Sequence, residues 1–489
     1  MPEYRKFTKD VGVVGIAQIL MRLRGIILIP VIAKTLGASE YGIYATLMVT
    51  ISLLVPISTL GLLNSMVRFL AGEKDKKEIQ EGYYSVLSLV FLCSFFLSLS
   101  LFLFAPTLAS TVFGDPQAVP VIRIGAFLIL IQALQGVNLH FFLTFRRIFR
   151  YSLFQVIRTF GEVILAAILV LEGFGLDAVI YSFLTVDLLC FLITFSLIFN
   201  EINIKLPNLS RIKLFLSFGL PLIPGIISGW VTNLSDRYVI GFFLSSASVG
   251  IYSAAYGTGS IIQMLLTPLS TALGPVIFKL WGENKIHELK NYFRYSLKYF
   301  LMLSIPSFFG LSVLAEPLLI ILSRPEFVPE GRIIIPLVAL AAIMYGVYVI
   351  NVRIFYLIKK TIYISYIWLG SAILNLGINV IFIPIMGIIA AAISTLVSFS
   401  FMAFVGSYAL YRNLKVGPNW KFIVKSLMAS SLMAFVVFKI RIMTFPEIFV
   451  PIFTGAVIYF ILLFLLKGFT KKEIEFFKEI ILATRKKFS

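Results

Sequence analysis

Long apolar runs separated by short polar joins recur from one end of the 489-residue chain to the other. Each run is about 20 residues long, which is the length that an α-helix needs to cross a bilayer. Glycine and proline punctuate the joins, as in Gly173-Phe174-Gly175. The pattern predicts an all-α polytopic membrane protein with about fourteen transmembrane helices. The predicted spans are approximately 11–33, 43–70, 83–104, 118–141, 151–171, 177–199, 212–242, 250–275, 297–322, 333–357, 362–383, 386–411, 420–440 and 448–466.

The composition leaves no room for a soluble domain. Only 13% of the residues are charged and the mean hydropathy is +0.98, whereas about 25% of a soluble domain is charged. Cys93 and Cys190 lie inside apolar runs, and His140 and His287 have no second ligand at metal spacing. No nucleophile elbow, phosphate-binding loop or zinc motif is present. We therefore expect no catalytic residue, no metal and no cofactor, and the chain is not predicted to be an enzyme.

The positive charge of the chain is concentrated in alternate joins. Most of the 42 lysine and arginine residues follow even-numbered spans or lie near the two ends, and the formal net charge is +19. Cations collect in this way on the cytoplasmic side of a membrane. The distribution predicts a multi-pass protein of the cytoplasmic (inner or plasma) membrane with both termini in the cytoplasm. It explains the high charge without nucleic acid as a partner, and it favours contact with anionic membrane lipids.

An internal repeat relates the two halves of the chain. The join after the first span, LGASEYGIY at residues 36–44, returns after the seventh span as LSSASVGIY at residues 244–252. Because six spans separate the two copies, both insert with the same orientation, which predicts a parallel repeat. We expect two six-helix lobes followed by two additional helices. The expected boundaries are 1–204 for the N-lobe, 205–413 for the C-lobe, and 414–489 for spans 13 and 14 with a basic cytoplasmic tail.

Two arginines, Arg22 and Arg24, lie near the middle of the first span, where a buried cation is costly and usually functional. Residues two apart cannot share a helix face, so one is expected to face a cavity and the other a neighbouring helix or carboxylate. The repeat sets span 7, which carries Arg237, opposite span 1. These arginines predict a chamber for an anion, because a guanidinium binds two phosphate oxygens at once. Alternatively, a buried partner such as Asp236 satisfies Arg22 and Arg24; Asp236 is expected to point away from Arg237.

Other polar positions within the spans are further candidates. Asn64 and Arg68 share a face at the end of span 2 and join the anion-binding group, unless Arg68 simply extends to the membrane surface. Side chains that could bind sugar, with interhelical packing as the alternative, are Trp230, Asn233, Tyr252, Tyr256 and Gln263. Candidates for a coupling proton or sodium ion are Glu162, Asp187 and Asp236. Pairing of Glu162 and Asp187 with Arg158 is the alternative for those two.

Several stretches of the sequence resemble one known family. They are Leu36–Gly42, Asn64–Arg68, Asn375–Asn379, and Ile383-Pro384 followed by Gly387 and Ala390–Ala392. These stretches resemble the polysaccharide-transporter family of Wzx-type O-antigen flippases, which shares the MOP superfamily with MATE drug exporters and lipid II flippases. The resemblance implies flipping of a polyprenyl-pyrophosphate-linked oligosaccharide from the cytoplasmic to the outer leaflet. It also implies that a cation such as Arg24 binds the pyrophosphate, and that H⁺ or Na⁺ is exchanged for substrate. We expect a monomeric transport unit.

Three other functions are compatible with the sequence. A MATE-like cation-coupled exporter of small molecules would need acidic cavity residues, whereas arginines dominate the candidates here. A polymerase or ligase of a glycan pathway generally needs a sizeable outward loop, and the longest outward joins, at about 105–117 and 323–332, are short. A scaffold for a glycan assembly complex would not need buried arginines. The charge pattern therefore favours an anionic substrate, and the resemblance implies a flippase for a lipid-linked one.

Overall fold

The structure is a computed structural model that describes residues 15, 17, 20–21, 24–25, 27–208, 212–440, 444, 446–470, 473 and 475. Within these residues the regular secondary structure is helical. Helix α1 contains the described residues between 15 and 35. The other helices are α2 Ala38–Ser58, α3 Leu62–Leu70, α4 Lys76–Leu103, α5 Ala105–Thr111, α6 Val119–Thr144, α7 Ile148–Leu171, α8 Gly175–Ile202, α9 Ile212–Gly219, α10 Ile223–Leu234, α11 Asp236–Phe243, α12 Ser246–Gly259, α13 Leu266–Gly282, α14 Ile286–Val313, α15 Ala315–Leu322, α16 Val328–Asn351, α17 Ile354–Leu357, α18 Ile362–Met386, α19 Ile388–Leu414, α20 Trp420–Phe438 and α21 Phe449–Leu465.

Twelve helices of the described part are long and apolar enough to cross a membrane, or thirteen if the bent pair Ser246–Ser270 and Leu273–Gly282 is one span. The prediction of an all-α, multi-span membrane protein is confirmed, and fourteen is an approximate count. Several predicted spans are interrupted, among them spans 2 and 7. Span 2 breaks between α2 and α3, where Leu60 and Gly61 have φ angles of 49° and 70°. Span 7 divides into α9, α10 and α11.

Polar caps begin several of the spans. The Asp75 carboxylate accepts a hydrogen bond of 2.9 Å from the Lys77 backbone N–H at the start of α4. At the start of α20 the Asn419 side chain accepts one of 3.2 Å from Phe422 N–H. Such caps satisfy backbone donors that a helix leaves open in its first turn. Short polar joins are thus enough to stop one span and start the next.

The chain divides into two compact units. Unit 1 contains the described residues up to Gly257 together with Leu322–Glu330 and Trp368–Thr395. In unit 1, α6 packs against α4 and α8, and α7 packs against α8. Unit 2 contains Thr258–Ile321, Gly331–Ile367 and the described residues from Leu396 onward. In unit 2, α20 packs against α14 and α21. The lobe boundaries expected from the repeat stay a prediction.

The two copies of the repeated join contact each other inside unit 1. A Cβ atom added to Gly42 in α2 would lie 1.8 Å from the carbonyl oxygen of Ser246 at the start of α12. Reciprocally, a Cβ added to Gly250 would lie 2.0 Å from the carbonyl oxygen of Ala38. Ala38 and Ser246 are equivalent positions of the repeat, as are Gly42 and Gly250. The two helices therefore cross about a local two-fold axis, at a distance that glycine alone allows.

A buried ion pair ties the segment after α21 to α14. Lys298 Nζ lies 2.7 Å from both carboxylate oxygens of Glu473, and the two side chains are only 6% and 5% exposed. The Thr470 backbone N–H donates to Glu473 Oε2 over 2.7 Å, as in a helix capping box. Burial alone would raise the pKa of Glu473, but the hydrogen bonds from Lys298 and Thr470 lower it below the ordinary glutamate value.

The helix crossing predicts that Gly42→Ala lowers the free energy of unfolding by about 1–3 kcal/mol, because the new methyl group overlaps the Ser246 carbonyl. Gly250→Ala is expected to behave alike, since the contact is reciprocal. Thermal unfolding of the detergent-solubilised protein measures both. Gly377→Ala in α18 is the control, because an added Cβ there has no atom within 4 Å. Equal stability of the Gly42→Ala and Gly377→Ala proteins would contradict the close crossing.

The ion pair predicts that Glu473→Gln costs about 3–5 kcal/mol of stability at neutral pH, because it leaves the Lys298 ammonium buried without a counter-charge. The pKa of Glu473 is lower in the folded than in the unfolded chain. The stabilisation is therefore present above about pH 4 and is lost as the pH falls through the folded value.

The measurement is the difference in unfolding temperature between the unaltered protein and the variant as the pH is lowered. This difference should narrow below about pH 4. Glu475→Gln, which removes an exposed carboxylate two residues away, should have little effect at any pH. A difference for Glu473→Gln that stays constant to about pH 3 would argue against the ion pair.

Candidate functional site

Arg24 on α1 lies against α7 and α8 in unit 1. Its Nη1 atom is 2.5 Å from Glu162 Oε2 on α7, and its guanidinium carbon is 4.6 Å from the ring centre of Phe183 on α8. Its side chain is still 28% exposed, whereas that of Glu162 is fully buried. A guanidinium has five N–H donors, so one carboxylate contact leaves several of them for another oxygen ligand.

The ion pair of Arg24 extends into a network of four charged residues and one glutamine. Arg158 Nε lies 3.0 Å from Glu162 Oε1, four residues along the same helix. Arg158 also binds Asp187 on α8, with Nη2 3.1 Å from Oδ2. Gln132 on α6 donates to the same Asp187 oxygen over 2.9 Å. Both carboxylates are paired with Arg158, which is the arrangement predicted as the alternative to an ion site.

A second buried pair lies at the junction of α10 and α11. Arg237 Nη1 donates to Asp236 Oδ1 over 2.6 Å, and the two side chains are 5% and 1% exposed. The expectation that Asp236 points away from Arg237 is therefore wrong. Asp236 is the first residue of α11, where its carboxylate also accepts the Arg237 backbone N–H over 2.9 Å. Adjacent side chains point in different directions inside a helix, but at the first residue of a helix the carboxylate can turn to bind the next backbone N–H.

Tyrosines of α12 complete the surroundings of Arg237. Its guanidinium carbon is 4.9 Å from the ring centre of Tyr252 and 4.2 Å from that of Tyr256, so both rings can make cation–π contacts. The Tyr252 hydroxyl donates to Asp236 Oδ2. Tyr252 and Tyr256, which the sequence assigned to sugar binding, thus contact the ion pair.

The repeat places one tyrosine beside Arg24 and one beside Arg237. This arrangement was not predicted from the sequence. Tyr44 lies next to Arg24, and its equivalent in the second copy, Tyr252, lies next to Arg237. Tyr44 also packs against Tyr41, with the ring centres 6.0 Å apart. The Gly-Ile-Tyr match was the available signal for Tyr44, whereas no pattern in the sequence indicated Phe183.

The charges of these clusters balance. Three guanidiniums and three carboxylates form them: Arg24, Arg158 and Arg237 with Glu162, Asp187 and Asp236. A phosphate reaching Arg24 would have to compete with Glu162. Arg22, the third arginine of the predicted chamber, lies outside the described residues. Across the part of the chain that is described, no group of three or more His, Cys, Asp or Glu residues could hold a metal ion.

Two of the sugar-binding candidates, Trp230 and Asn233, make hydrogen bonds to α2 or within α10. The Trp230 indole N–H donates to the Val49 carbonyl and the Ser52 hydroxyl over 3.1 and 3.2 Å. The Asn233 amide donates to the Gly229 carbonyl over 2.7 Å. Trp230 and Asn233 are both half-buried, so part of each side chain remains accessible.

The remaining candidates lie on α3 of unit 1 and in unit 2. Asn64 and Arg68 are exposed on α3, and the Arg68 guanidinium carbon is 4.7 Å from the ring centre of Phe218. Gln263 is half-buried in the 3₁₀ segment Ser260–Leu265 of unit 2. Arg68 stacks on Phe218 at an exposed position. This geometry resembles the alternative prediction, in which Arg68 extends to the membrane surface.

Sequence comparison links the chain to a defined family. The profile of the family described as "Polysaccharide biosynthesis protein" matches residues 7–281, and that of a second, described as "MatE", matches residues 221–381. "Probable low-salt glycan biosynthesis flippase Agl15" of Haloferax volcanii is 24% identical over 296 residues, which cover 60% of this chain and 62% of that protein. "Probable flippase AglR" of the same organism is 26% identical over 364 residues, or 71% of this chain and 72% of the relative. The match to Agl15 therefore spans less than two thirds of its length.

A solved structure gives the fold independently. "Lipid II flippase MurJ, inward closed conformation" is similar with a TM-score of 0.77 and 20% sequence identity, over 92% of this chain and 98% of that chain. At this identity the likeness concerns the fold, and it confirms the predicted fold class. The resemblance seen in the sequence motifs is confirmed as well. Because the first profile covers more than half of the 489 residues, the chain belongs to the polysaccharide biosynthesis protein family.

Proposed function

We propose that this protein is a flippase that moves a polyprenyl-pyrophosphate-linked oligosaccharide from the cytoplasmic to the outer leaflet by alternating access. Its product would serve polysaccharide or glycoconjugate synthesis. Family membership and the names of the relatives support this class of activity. The positive-inside pattern supports a cytoplasmic-membrane location with both termini in the cytoplasm. A pyrophosphate bearing sugars cannot cross about 30 Å of hydrocarbon unaided, so a polar path through the protein is required.

The observation that carries the proposal is the side chain of Arg24, which is 28% exposed. It lies on α1, which corresponds to the first predicted span, and its guanidinium has N–H donors beyond the one that contacts Glu162. Arginine presents these donors in a planar fork that matches two phosphate oxygens. Arg237 is almost fully enclosed by its own carboxylate and two tyrosines. We therefore assign first contact with the pyrophosphate to Arg24 and give Arg237 a supporting role.

Glu162 is our candidate for coupling transport to protons. While it is ionised it occupies Arg24, and a proton on Glu162 would release the guanidinium for phosphate. Proton uptake and anion binding would then favour each other, as thermodynamic linkage requires. Asp187 holds Arg158, and Asp236 holds Arg237. Of the three acidic candidates, only Glu162 shares a contact with the arginine that we assign to substrate.

The MatE profile match supports one rival, an exporter of small cations. Such a function needs a surplus of carboxylates, whereas those described around Arg24 are matched by guanidiniums. A transport assay that compares lipid-linked oligosaccharide with an organic cation separates the two. Movement of the cation alone would overturn the flippase proposal.

Arg24→Ala is expected to lower the rate of oligosaccharide translocation by about 10- to 100-fold, because a charge-assisted hydrogen-bonded pair with phosphate is lost. Arg24→Lys should retain part of the rate, since it keeps the charge without the fork. The assay follows fluorescent lipid-linked oligosaccharide in reconstituted vesicles, with protein-free vesicles as background.

The double variant Arg24→Ala/Glu162→Gln is the control for structural damage. It removes one positive and one negative charge together, so it should fold better than Arg24→Ala and remain inactive. Near-normal translocation by this double variant would show that Arg24 does not bind the substrate. Unfolding temperatures of all variants are compared in the same detergent.

Glu162→Gln should make the rate of translocation independent of pH on the loading side, because a neutral side chain leaves Arg24 permanently available. The unaltered protein is expected to load faster as the pH of that side falls. Asp187→Asn and Asp236→Asn, which leave the Arg24–Glu162 contact intact, should retain the pH dependence. A pH dependence that persists in Glu162→Gln rules out this residue as the coupling site, and dependence on a sodium gradient instead would favour Na⁺.

A further inference from the structure

Unit 2 contains a cavity of about 730 Å³ that no transport step described above uses. It lies among α14, α16, α19 and α20, and its volume is within the range of small-molecule sites. Aliphatic and phenyl side chains such as Leu301, Ile305, Leu340 and Phe404 dominate its wall. A cavity this apolar suits a hydrocarbon chain far better than a sugar or a phosphate.

One end of the cavity is polar. The Asn351 amide donates to the Ser407 hydroxyl over 3.0 Å, and both residues line the cavity. The buried Oδ1 atom of Asn351 has no hydrogen-bond partner among the described residues. A buried carbonyl oxygen without a hydrogen-bond partner costs free energy. Binding of a ligand hydroxyl or of a water molecule at this oxygen would therefore be favoured.

The same end opens beside an aromatic and cationic rim. Tyr411 and Trp420 line the cavity and are 54% and 69% exposed, as is common for aromatic residues at a membrane interface. The sequence from Arg412 to Lys425 contains no aspartate or glutamate. Its cations are Arg412, Lys415, Lys421 and Lys425, and the first three are exposed.

We propose that this cavity binds an acyl chain of an anionic phospholipid from the adjacent leaflet, with the phosphate at the rim of Arg412, Lys415 and Lys421. An apolar body with a cationic mouth matches the two ends of such a lipid. The glycerol backbone would lie near Asn351, where an ordered water or a head-group hydroxyl can donate to the free Oδ1 atom.

A resident membrane lipid fits this site better than the hydrocarbon tail of a transported substrate. The cavity is formed by unit 2 alone, and part of its wall is α20, which lies beyond the predicted six-helix repeat. A substrate tail must enter and leave in every cycle, whereas a lipid held inside one compact unit can remain. The proposal therefore concerns a lipid that accompanies the protein and stands apart from the proposed transport site.

The first test fills the cavity. Ala403 lines it and is 6% exposed, so Ala403→Phe places a ring in the space that an acyl chain would take. Val397→Phe, at a 41% exposed position of the same helix outside the cavity, is the matched control. The protein is exchanged into vesicles of equal phosphatidylglycerol and phosphatidylcholine, extracted in detergent, and its retained lipid is measured by mass spectrometry. We expect retained phosphatidylglycerol to be lost in Ala403→Phe and kept in Val397→Phe.

The second test removes the charges of the rim without touching the core. Arg412→Gln, Lys415→Gln and Lys421→Gln should each reduce the preference for phosphatidylglycerol over phosphatidylcholine by about fivefold. The single variants Lys74→Gln, Lys76→Gln and Lys77→Gln each make the same change of net charge at exposed positions of unit 1 and should leave the preference unaltered.

Three outcomes would overturn the proposal. In the first, Ala403→Phe retains as much phosphatidylglycerol as the unaltered protein. In the second, the unaltered protein shows no preference between the two lipids. In the third, an equimolar polyprenyl phosphate displaces the retained phospholipid. The last result would assign the cavity to the substrate tail. Because the rim variants alter only exposed side chains, failure of Ala403→Phe to fold leaves the charge test decisive.

Discussion

A guanidinium inside a membrane is tolerated when a carboxylate or a polar path accompanies it, and the architecture of unit 1 follows from this constraint. Arg24 brings α1 to α7 through Glu162, and Arg158 brings α7 to α8 through Asp187. Removing one member of a buried pair typically costs about 3–5 kcal/mol, which is a large part of the stability of most proteins. The charged network therefore links three helices, α1, α7 and α8.

The same constraint shapes the proposed chemistry. A chamber of uncompensated arginines would be costly to bury and would hold an anion too tightly to release it. In the proposed cycle a balanced cluster would avoid both difficulties, because the Glu162 carboxylate would replace the phosphate at Arg24 whenever the substrate is absent. Release of pyrophosphate and return of Glu162 to Arg24 would then be one exchange. The fractional exposure of Arg24 distinguishes it from Arg237, which its own carboxylate and two tyrosine rings enclose.

The sequence predicted the spans well because hydrophobic length is a direct consequence of bilayer thickness. It also predicted the Arg158–Glu162 contact, since spacing of four residues along one helix is a local property. The contact of Arg24 with Glu162 depends on how α1 packs against α7, which no local pattern encodes. Asp236 was misplaced because the start of α11 was not recognised. The repeat indicated equivalent joins, yet only the structure brings Gly42 and Gly250 into one crossing.

The measurement that tests this account most directly is the number of protons taken up when the protein binds a polyprenyl-pyrophosphate-linked sugar. Calorimetric titration near neutral pH in two buffers of different ionisation enthalpy gives this number. The account predicts uptake of about one proton per ligand by the unaltered protein, and binding without proton uptake by Glu162→Gln. Binding by the unaltered protein with no proton uptake, or equal uptake by both proteins, would contradict the exchange of Glu162 for pyrophosphate at Arg24.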